Sequence, residues 1–235
     1  MMGSDLIPAV KGEARSAGEV WYSIKKLSTV PKDLFKVSLK NLSLELRTGE
    51  ILGIAGLAGN GQAELMDVLS GESLSETAGS IEMEGQIIGH MGPEKRRNLG
   101  LGFVPEERLG HGAVPEMSLW ENGFLTAARG QDLMVNGFIK TEKAKIFAMD
   151  IIKRFNVKTA GVDNLATSLS GGNLQKFIVG REIDQNPKVL IVIQPTWGVD
   201  AGSAAFIHQA LVDLAVKGTS VLLISQDLDE LFAVS

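Results

Sequence analysis

The chain carries two kinds of short apolar segment, one alternating and one continuous, set between glycine turns and stretches of helical period. Val20 to Leu27 and Leu39 to Leu46 alternate apolar and polar positions, as strands with one exposed face do, and Pro31-Lys32-Asp33 breaks the first run. Gly49-Glu50 then turns into Ile51-Leu52-Gly53-Ile54-Ala55, a predicted strand that runs into a glycine loop. Gln62 to Leu69 predicts a helix with Leu65 and Leu69 on one face, and Ile81 to Ile88 predicts a hairpin around Glu84-Gly85. Residues 116–160 have helical periodicity in at least two pieces, broken near Gly130 and Gly137. Asn173 to Ile183 places Leu174, Phe177 and Ile178 at helical spacing. Val189 to Ile193 is continuously apolar and rich in β-branched residues, the pattern of a strand buried on both faces of a parallel sheet. Ala204 to Leu214 predicts a helix, Ser220 to Ser225 a second buried strand, and a new helix begins shortly before Ser235. Strands alternating with helices predict an α/β sheet. Residues 1–19 are small and polar without periodicity, so they are expected to be a linker or a disordered start.

Composition narrows the classes without choosing among them. With 235 residues, 44% hydrophobic and 22% charged, the chain suits one large domain or two small ones and does not suit disorder. A net charge of −5 counts against broad binding to a phosphate backbone, which needs clustered Lys and Arg, so no nucleic-acid partner is expected. No cysteine is present, which removes disulfides and thiolate metal sites. The apolar runs are too short to span a bilayer and the N-terminus has no apolar signal core, so any membrane role is expected to be peripheral. His90, His111 and His208 show no paired spacing, each is read as a surface or helix-face residue, and no metal site is expected.

The candidate chemistry lies in two glycine clusters. Gly56-Leu57-Ala58-Gly59-Asn60-Gly61-Gln62-Ala63 sits between a predicted strand and a predicted helix, the setting of a phosphate-binding loop. There, glycines let backbone N–H groups turn inward around phosphate oxygens, and the helix start adds the positive end of its dipole. Such a loop ends in Lys followed by Ser or Thr; this one ends in Gln62 and Ala63. A unit charge pair near 4 Å is worth about 4 kcal/mol at an effective dielectric near 20. A neutral hydrogen bond from Gln62 nets about 1 kcal/mol. Ala63 has no hydroxyl for Mg²⁺. Gly56, Gly59, Asn60, Gly61, Gln62 and Ala63 are thus candidate nucleotide contacts with a weakened grip, the plain alternative being a strand–turn–helix whose glycines serve packing. The second cluster, Ser170-Gly171-Gly172, precedes a helix and combines a hydroxyl, bare amides and a helix N-terminus, which suits an anion, or else caps the helix through Ser170.

Leu169 to Lys176, reading Leu-Ser-Gly-Gly-Asn-Leu-Gln-Lys, closely resembles the signature motif of ABC-family ATPases. From about residue 20 onward the chain resembles an ABC ATP-binding domain, with the family's motifs in order. Val189 to Thr196 resembles the Walker B region, where the family's Asp and Glu are replaced by Ile193 and Gln194. Phe103-Val104-Pro105-Glu106 resembles the approach to the Q-loop, with Glu106 for Gln, and Leu223 to Leu228 resembles the switch region, with Gln226 for His. No catalytic group is assigned at these degenerate positions, Ile193, Gln194, Gln226 and Glu106. Asp200, in Trp197-Gly198-Val199-Asp200, falls on the D-loop, where the resemblance implies a dimer-interface role; a helix cap before Ala201 is the alternative. More narrowly, the chain resembles the second of two fused ATPase domains of bacterial importers for simple sugars and nucleosides, on residues 56–62, 104–108, 194–200 and 224–230 and the Ser-Gly-Gly-Asn-Leu-Gln run. Gln194-Pro195-Thr196 leans toward the nucleoside type.

The resemblance implies an α/β P-loop NTPase fold of the ABC-ATPase type over residues 20–235, with an antiparallel β subdomain and a helical subdomain at about 112–168. Against the family's usual extent, the last strands after the switch region are expected to be missing from this sequence. ATP is the implied cofactor, with Mg²⁺ ligands degraded. The implied partners are a second ABC ATPase domain with an intact P-loop, an integral-membrane permease and, indirectly, a solute-binding protein, at the cytoplasmic face of the membrane. In this family the signature closes over the γ-phosphate held by a partner, so Ser170, Gly171, Gly172, Asn173 and Gln175 can complete a partner's site although this chain's own site is degraded. An adenine-stacking aromatic is implied upstream of the P-loop: Phe35 is the candidate, with Trp21 and Tyr22 competing and core packing the alternative for each. Two further readings compete with the accessory half. One is an active homodimeric ATPase that uses Glu106 or Glu107 with Mg²⁺. The other is a soluble ABC-like module in translation or repair without a membrane partner.

Overall fold

Two sheets of different character follow from the two kinds of apolar run. The structure, a computed structural model, describes residues 18–30 and 36–235. The expected start over residues 1–17, the Pro31-Lys32-Asp33 break and Phe35 lie outside the described residues. The elements in chain order are β1 (Val20–Leu27), β2 (Leu42–Arg47), β3 (Ile51–Ala55), α1 (Gln62–Ser70), β4 (Ile81–Met83), β5 (Gln86–Ile87), α2 (Pro93–Asn98) and β6 (Leu101–Val104). They continue as α3 (Leu119–Ala127), β7 (Met134–Val135), β8 (Phe138–Ile139), α4 (Thr141–Arg154), α5 (Gly171–Ile183), β9 (Val189–Ile193), α6 (Ala201–Val216), β10 (Ser220–Ser225) and α7 (Leu228–Val234).

The continuous runs form a parallel sheet in the order β3-β10-β9-β6, and every residue of β9 and β10 is buried. The pleat sends alternate side chains to opposite faces, and here both faces are covered. Leu190, Val192, Val221 and Leu223 enter a core with α5 and α6 residues such as Phe177, Ile178, Ile207 and Leu211. Ile191, Ile193, Leu222 and Ile224 enter a second core with Leu65 and Leu69 of α1 and with Tyr22, Ile24, Leu46 and Ile81. The last four come from the antiparallel sheet β2-β1-β4-β5, which closes over that side. Its β4–β5 hairpin turns at Glu84 and Gly85, both with positive φ, as expected for a two-residue turn. Tyr22 is fully buried and Trp21 packs partly against the same core, so both serve packing.

Residues 116–160 form two main helices, and the break expected near Gly130 and Gly137 holds an unexpected pair of strands. Between α3 and α4 lies a small hairpin that pairs Met134 with Ile139 and Val135 with Phe138. Asn136 and Gly137, at φ 48° and 83°, form its turn. Asn-Gly is a strong hairpin signal, but strands of two residues are too short to show a period, so the flanking helical pattern masks them. α3 begins with a capping box in which Ser118 and Glu121 each satisfy the other's backbone N–H.

Gly180 sets the packing of the helix that carries the signature, and Arg96 sets the end of α1. Gly180 of α5 lies against Phe155, where an added Cβ would come within 2.6 Å of the ring. Gly180→Ala is therefore expected to cost about 1–3 kcal/mol through overpacking, read as a lower urea midpoint. At the other side of the parallel sheet, Arg96 is wholly buried and donates to the Val68 and Leu69 carbonyls at the end of α1. Its Nε and Nη2 reach Met91 O and Gly89 O, so α1 is held at its C-terminus by one guanidinium. Among the described residues, no helix is long and apolar enough to cross a membrane.

Candidate functional site

The parallel register brings three of the sequence motifs to one edge of the sheet. Ser225 pairs with Ala55 and Ile224 with Ile193, so β3, β10 and β9 end side by side at their C-termini, the usual ligand edge of an open α/β sheet. Gly56 N donates to Ser225 O and Gln194 N donates to Ile224 O. The glycine loop, the Gln194 turn and Gln226 therefore share this crevice. Gln194 is buried and holds φ 50°, a left-handed conformation costly for a non-glycine residue.

Within the loop, Gly59 and Gly61 have φ of 79° and 101°, and Gly61 immediately precedes α1. A Cβ on Gly61 would also meet Leu39 at 3.0 Å, so this position is restricted to glycine twice over. The Gln62 side chain folds back over the loop. Its Oε1 accepts from Asn60 N at 3.0 Å and its Nε2 donates to Leu57 O at 2.7 Å. Asn60 Nδ2 donates to the same carbonyl at 3.0 Å. The carboxamide also lies on Gly56, where a Cβ would be 2.5 Å from Nε2. An inward amide of the cradle is thus occupied by the chain's own side chain. Ala63 is exposed and offers no oxygen, and Ile193 is buried in the apolar core. These residues do not fit a Mg²⁺-triphosphate. Among the described residues, no group of three or more His, Cys, Asp or Glu side chains converges as a metal site. Glu106 and Glu107 are both exposed after β6.

The signature forms a separate cluster. Ser170 occupies the N-cap of α5 with an extended backbone, yet its side chain makes no cap hydrogen bond. Its Oγ instead accepts from Asn173 Nδ2 at 2.9 Å, and Asn173 Oδ1 accepts from Lys158 N at 2.8 Å. The first-turn amides of α5 therefore remain uncapped by any side chain, next to two glycines, with Ser170 and Gly171 exposed. Ser170, Gly172, Asn173 and Lys176 share a cleft of about 440 Å³ with Gly198, Val199 and Asp200. Burial lowers the Lys176 ammonium pKa, and its Nζ donates to Asn156 O. Asp200 caps α6, accepting from Ser203 N at 3.0 Å and Ser203 Oγ at 2.7 Å. Those bonds hold its carboxyl below the usual range. Gln175 is buried and accepts from Arg108 Nε at 3.0 Å. The hydrogen bonds of residues 56–63 run to 225, within the loop and into α1; those of the signature run to 108, 156, 158 and 166 and within α5. The structure thus gathers the phosphate-side residues in one place and the signature with the D-loop in another.

Of the two positions expected for a histidine, surface or helix face, His208 takes the second, on a buried face of α6. It is buried, and its Nε2 lies 3.0 Å from Glu230 Oε1. Glu230 also accepts from Thr196 Oγ1 at 2.6 Å and from Ser225 Oγ. This network joins the end of β9, the end of β10, α6 and α7. The signal was present: His208 follows Ala204 by four and precedes Leu211 by three, on the buried stripe of α6. Burial pushes the Glu230 carboxyl up, but bonds from His208, Ser225 and Thr196 outweigh it and hold the group below the usual range. A carboxylate depressed in the folded state adds stability above its unfolded pKa and loses it as pH falls through the lower folded value. Glu230→Gln is therefore expected to narrow the loss of stability between neutral pH and pH values below about 4, read by urea unfolding at each pH.

A phosphate-loop crevice at a parallel sheet edge and a separate uncapped signature helix are the parts of an ATP-binding cassette. The chain belongs to the ABC transporter family, whose model matches residues 39–196. It is 38% identical over its whole length to the nucleoside import ATP-binding protein NupA of Lactococcus lactis subsp. cremoris, covering 46% of that protein. It is 37% identical to the guanosine import ATP-binding protein NupO of Bacillus subtilis, over 84% of this chain and 39% of the relative. The chain therefore spans less than half the length of these curated relatives. Among solved structures it matches the dimeric ATP-binding cassette MJ0796 bound to ADP and Pi, with a TM-score of 0.74, 20% identity and 89% of each chain covered. That likeness shows the fold.

Proposed function

We propose that this chain is the accessory ATP-binding half of an importer for nucleosides or simple sugars, with a nucleoside solute favoured. It pairs with a second cassette whose P-loop is intact and docks on a membrane-spanning permease at the cytoplasmic face. The observation that carries this reading is the contrast between the two anion sites. The chain's own loop is filled by Gln62, whereas the first turn of α5 is uncapped beside the exposed Ser170. A domain that had merely decayed would have no reason to keep the second surface open. Ser170, Gly171 and Gly172 would then meet the γ-phosphate held by the partner's loop, with Asp200 beside them at the interface. NupA and NupO, named for nucleoside and guanosine import, support the solute class.

The test is ATP turnover by the purified chain, alone and with its partner cassette. No turnover alone, with stimulation of the partner, is expected; appreciable turnover by the wild-type chain alone would overturn the reading. Gln62→Lys alone is expected to leave the chain inactive. The lysine restores one cation, but Ile193 and Gln194 still supply neither a Mg²⁺ ligand nor a general base. Calorimetry is expected to find weak ATP binding that does not depend on Mg²⁺.

A further inference from the structure

Arg108 touches both halves of the signature cluster. It lies three residues after Pro105, in the turn that follows β6. Its Nε donates to Gln175 Oε1 at 3.0 Å, one turn into α5. Its Nη1 rests on Gly171, where an added Cβ would stand 2.6 Å away. Its Nη2 rests on Gly198 of the D-loop, where a Cβ would stand 3.4 Å away. A planar guanidinium thus fills the gap between the first residue of α5 and the loop before α6, and glycine at both positions gives it room. Nη2 is buried with no acceptor among the described residues. Burial lowers the pKa of the group, yet an arginine stays charged.

From this geometry we infer that Arg108 is a positioning residue: it sets the start of the signature helix against the D-loop, so that Ser170 and Gly171 meet the partner's γ-phosphate in register. This rests on the accessory-half reading. The fork shape matters as much as the charge, because one planar group reaches Gln175, Gly171 and Gly198 together. Arg108 also ties the segment after Glu106 to the signature, so a shift of that turn is passed to the site by a direct hydrogen bond.

The partner's loop binds most of the nucleotide, so losing a positioning residue here should lower kcat and leave the ATP KM nearly unchanged. The experiment is ATP turnover against ATP concentration in the assembled importer, for wild type, Arg108→Gln, Arg108→Lys and Gln175→Met. Each variant is also checked by thermal melting. Arg108→Gln is expected to lower kcat about tenfold with KM within about twofold, and Arg108→Lys is expected not to rescue it. Gln175→Met keeps a good helix former and removes the Nε acceptor, so a several-fold fall in kcat alone is expected even if Arg108→Gln folds poorly. Unchanged kcat in Arg108→Gln and Gln175→Met, or full rescue by Arg108→Lys, overturns the inference. Gly172→Asp in the same assembly separates the two levels. If it stops turnover while the Arg108 variants do not, the positioning role fails and the accessory-half reading stands. If it also leaves turnover intact, the accessory-half reading itself fails.

Discussion

Gly172→Asp is expected to abolish ATP turnover by the assembled pair of cassettes while this chain stays folded. Gly172 is half-buried in the first turn of α5, and an added Cβ would meet nothing nearer than Val199 at 3.7 Å, an ordinary contact. Asp200 Oδ2 would lie 3.8 Å from that Cβ and repel an added carboxylate, but an aspartate in the first turn interacts favourably with the helix dipole, which offsets that repulsion. The same carboxylate would stand where the proposed function places a γ-phosphate. Two unit negative charges about 4 Å apart repel by about 4 kcal/mol at an effective dielectric near 20, or roughly a thousandfold in rate. Steady-state turnover of the assembly, with thermal melting of the isolated chain as control, decides the matter. Turnover within a few-fold of wild type would mean that this surface does not close over nucleotide.

Glu182→Gln is expected to destabilise the chain by about 3–5 kcal/mol. Glu182 lies in α5, ten residues beyond the signature glycines, and is 1% exposed. Its Oε2 lies 2.7 Å from Arg97 Nη1 and its Oε1 lies 3.0 Å from Arg181 Nε. Arg181 is itself buried and donates to Asn122 O of α3. Removing the carboxylate leaves the buried guanidinium of Arg181, and part of Arg97, without a counter-charge. That is the expensive way to break a buried pair, and it takes a large share of a total stability of about 5–15 kcal/mol. Burial pushes the Glu182 carboxyl up, and Arg97 and Arg181 more than offset that and hold it below the usual range. With a folded pKa below the unfolded one, its contribution is complete above the unfolded value and is lost as pH falls through the folded value. The difference between wild type and Glu182→Gln should therefore shrink on acidification below about pH 4. Urea midpoints at neutral and acid pH measure it.

Most of the core was legible from local pattern. β9 and β10 appeared as continuous apolar runs because both faces of a central parallel strand are covered. The β4–β5 turn was visible at Glu84-Gly85 because Gly85 readily takes the positive φ such a turn requires. The β7–β8 hairpin was missed because two residues per strand carry no period. The buried partner of His208 was missed because a lone polar residue on an apolar stripe does not reveal its partner, and Glu230 lies 22 positions away.

At the candidate site, the residue types and their order were set by sequence: Gln62 and Ala63 after the glycine loop, Ile193 and Gln194 at the end of an apolar run, and Ser170-Gly171-Gly172 before a helix. Chain spacing shows each as a strand or helix end with its loop, whereas reading them as replacements for a lysine, a hydroxyl residue and two carboxylates rests on the resemblance to ABC ATPases. Only the tertiary structure decided that the Gln62 carboxamide turns inward onto Asn60 and Leu57, because a side-chain rotamer depends on which neighbours surround it. The same holds for the Arg108 bridge to Gln175, across 67 positions, and for the Glu182 cluster, whose Arg97 lies 85 positions away. Local period reports which face of an element is buried, whereas the pairing of charges across distant elements is fixed only when packing brings them together and excludes water.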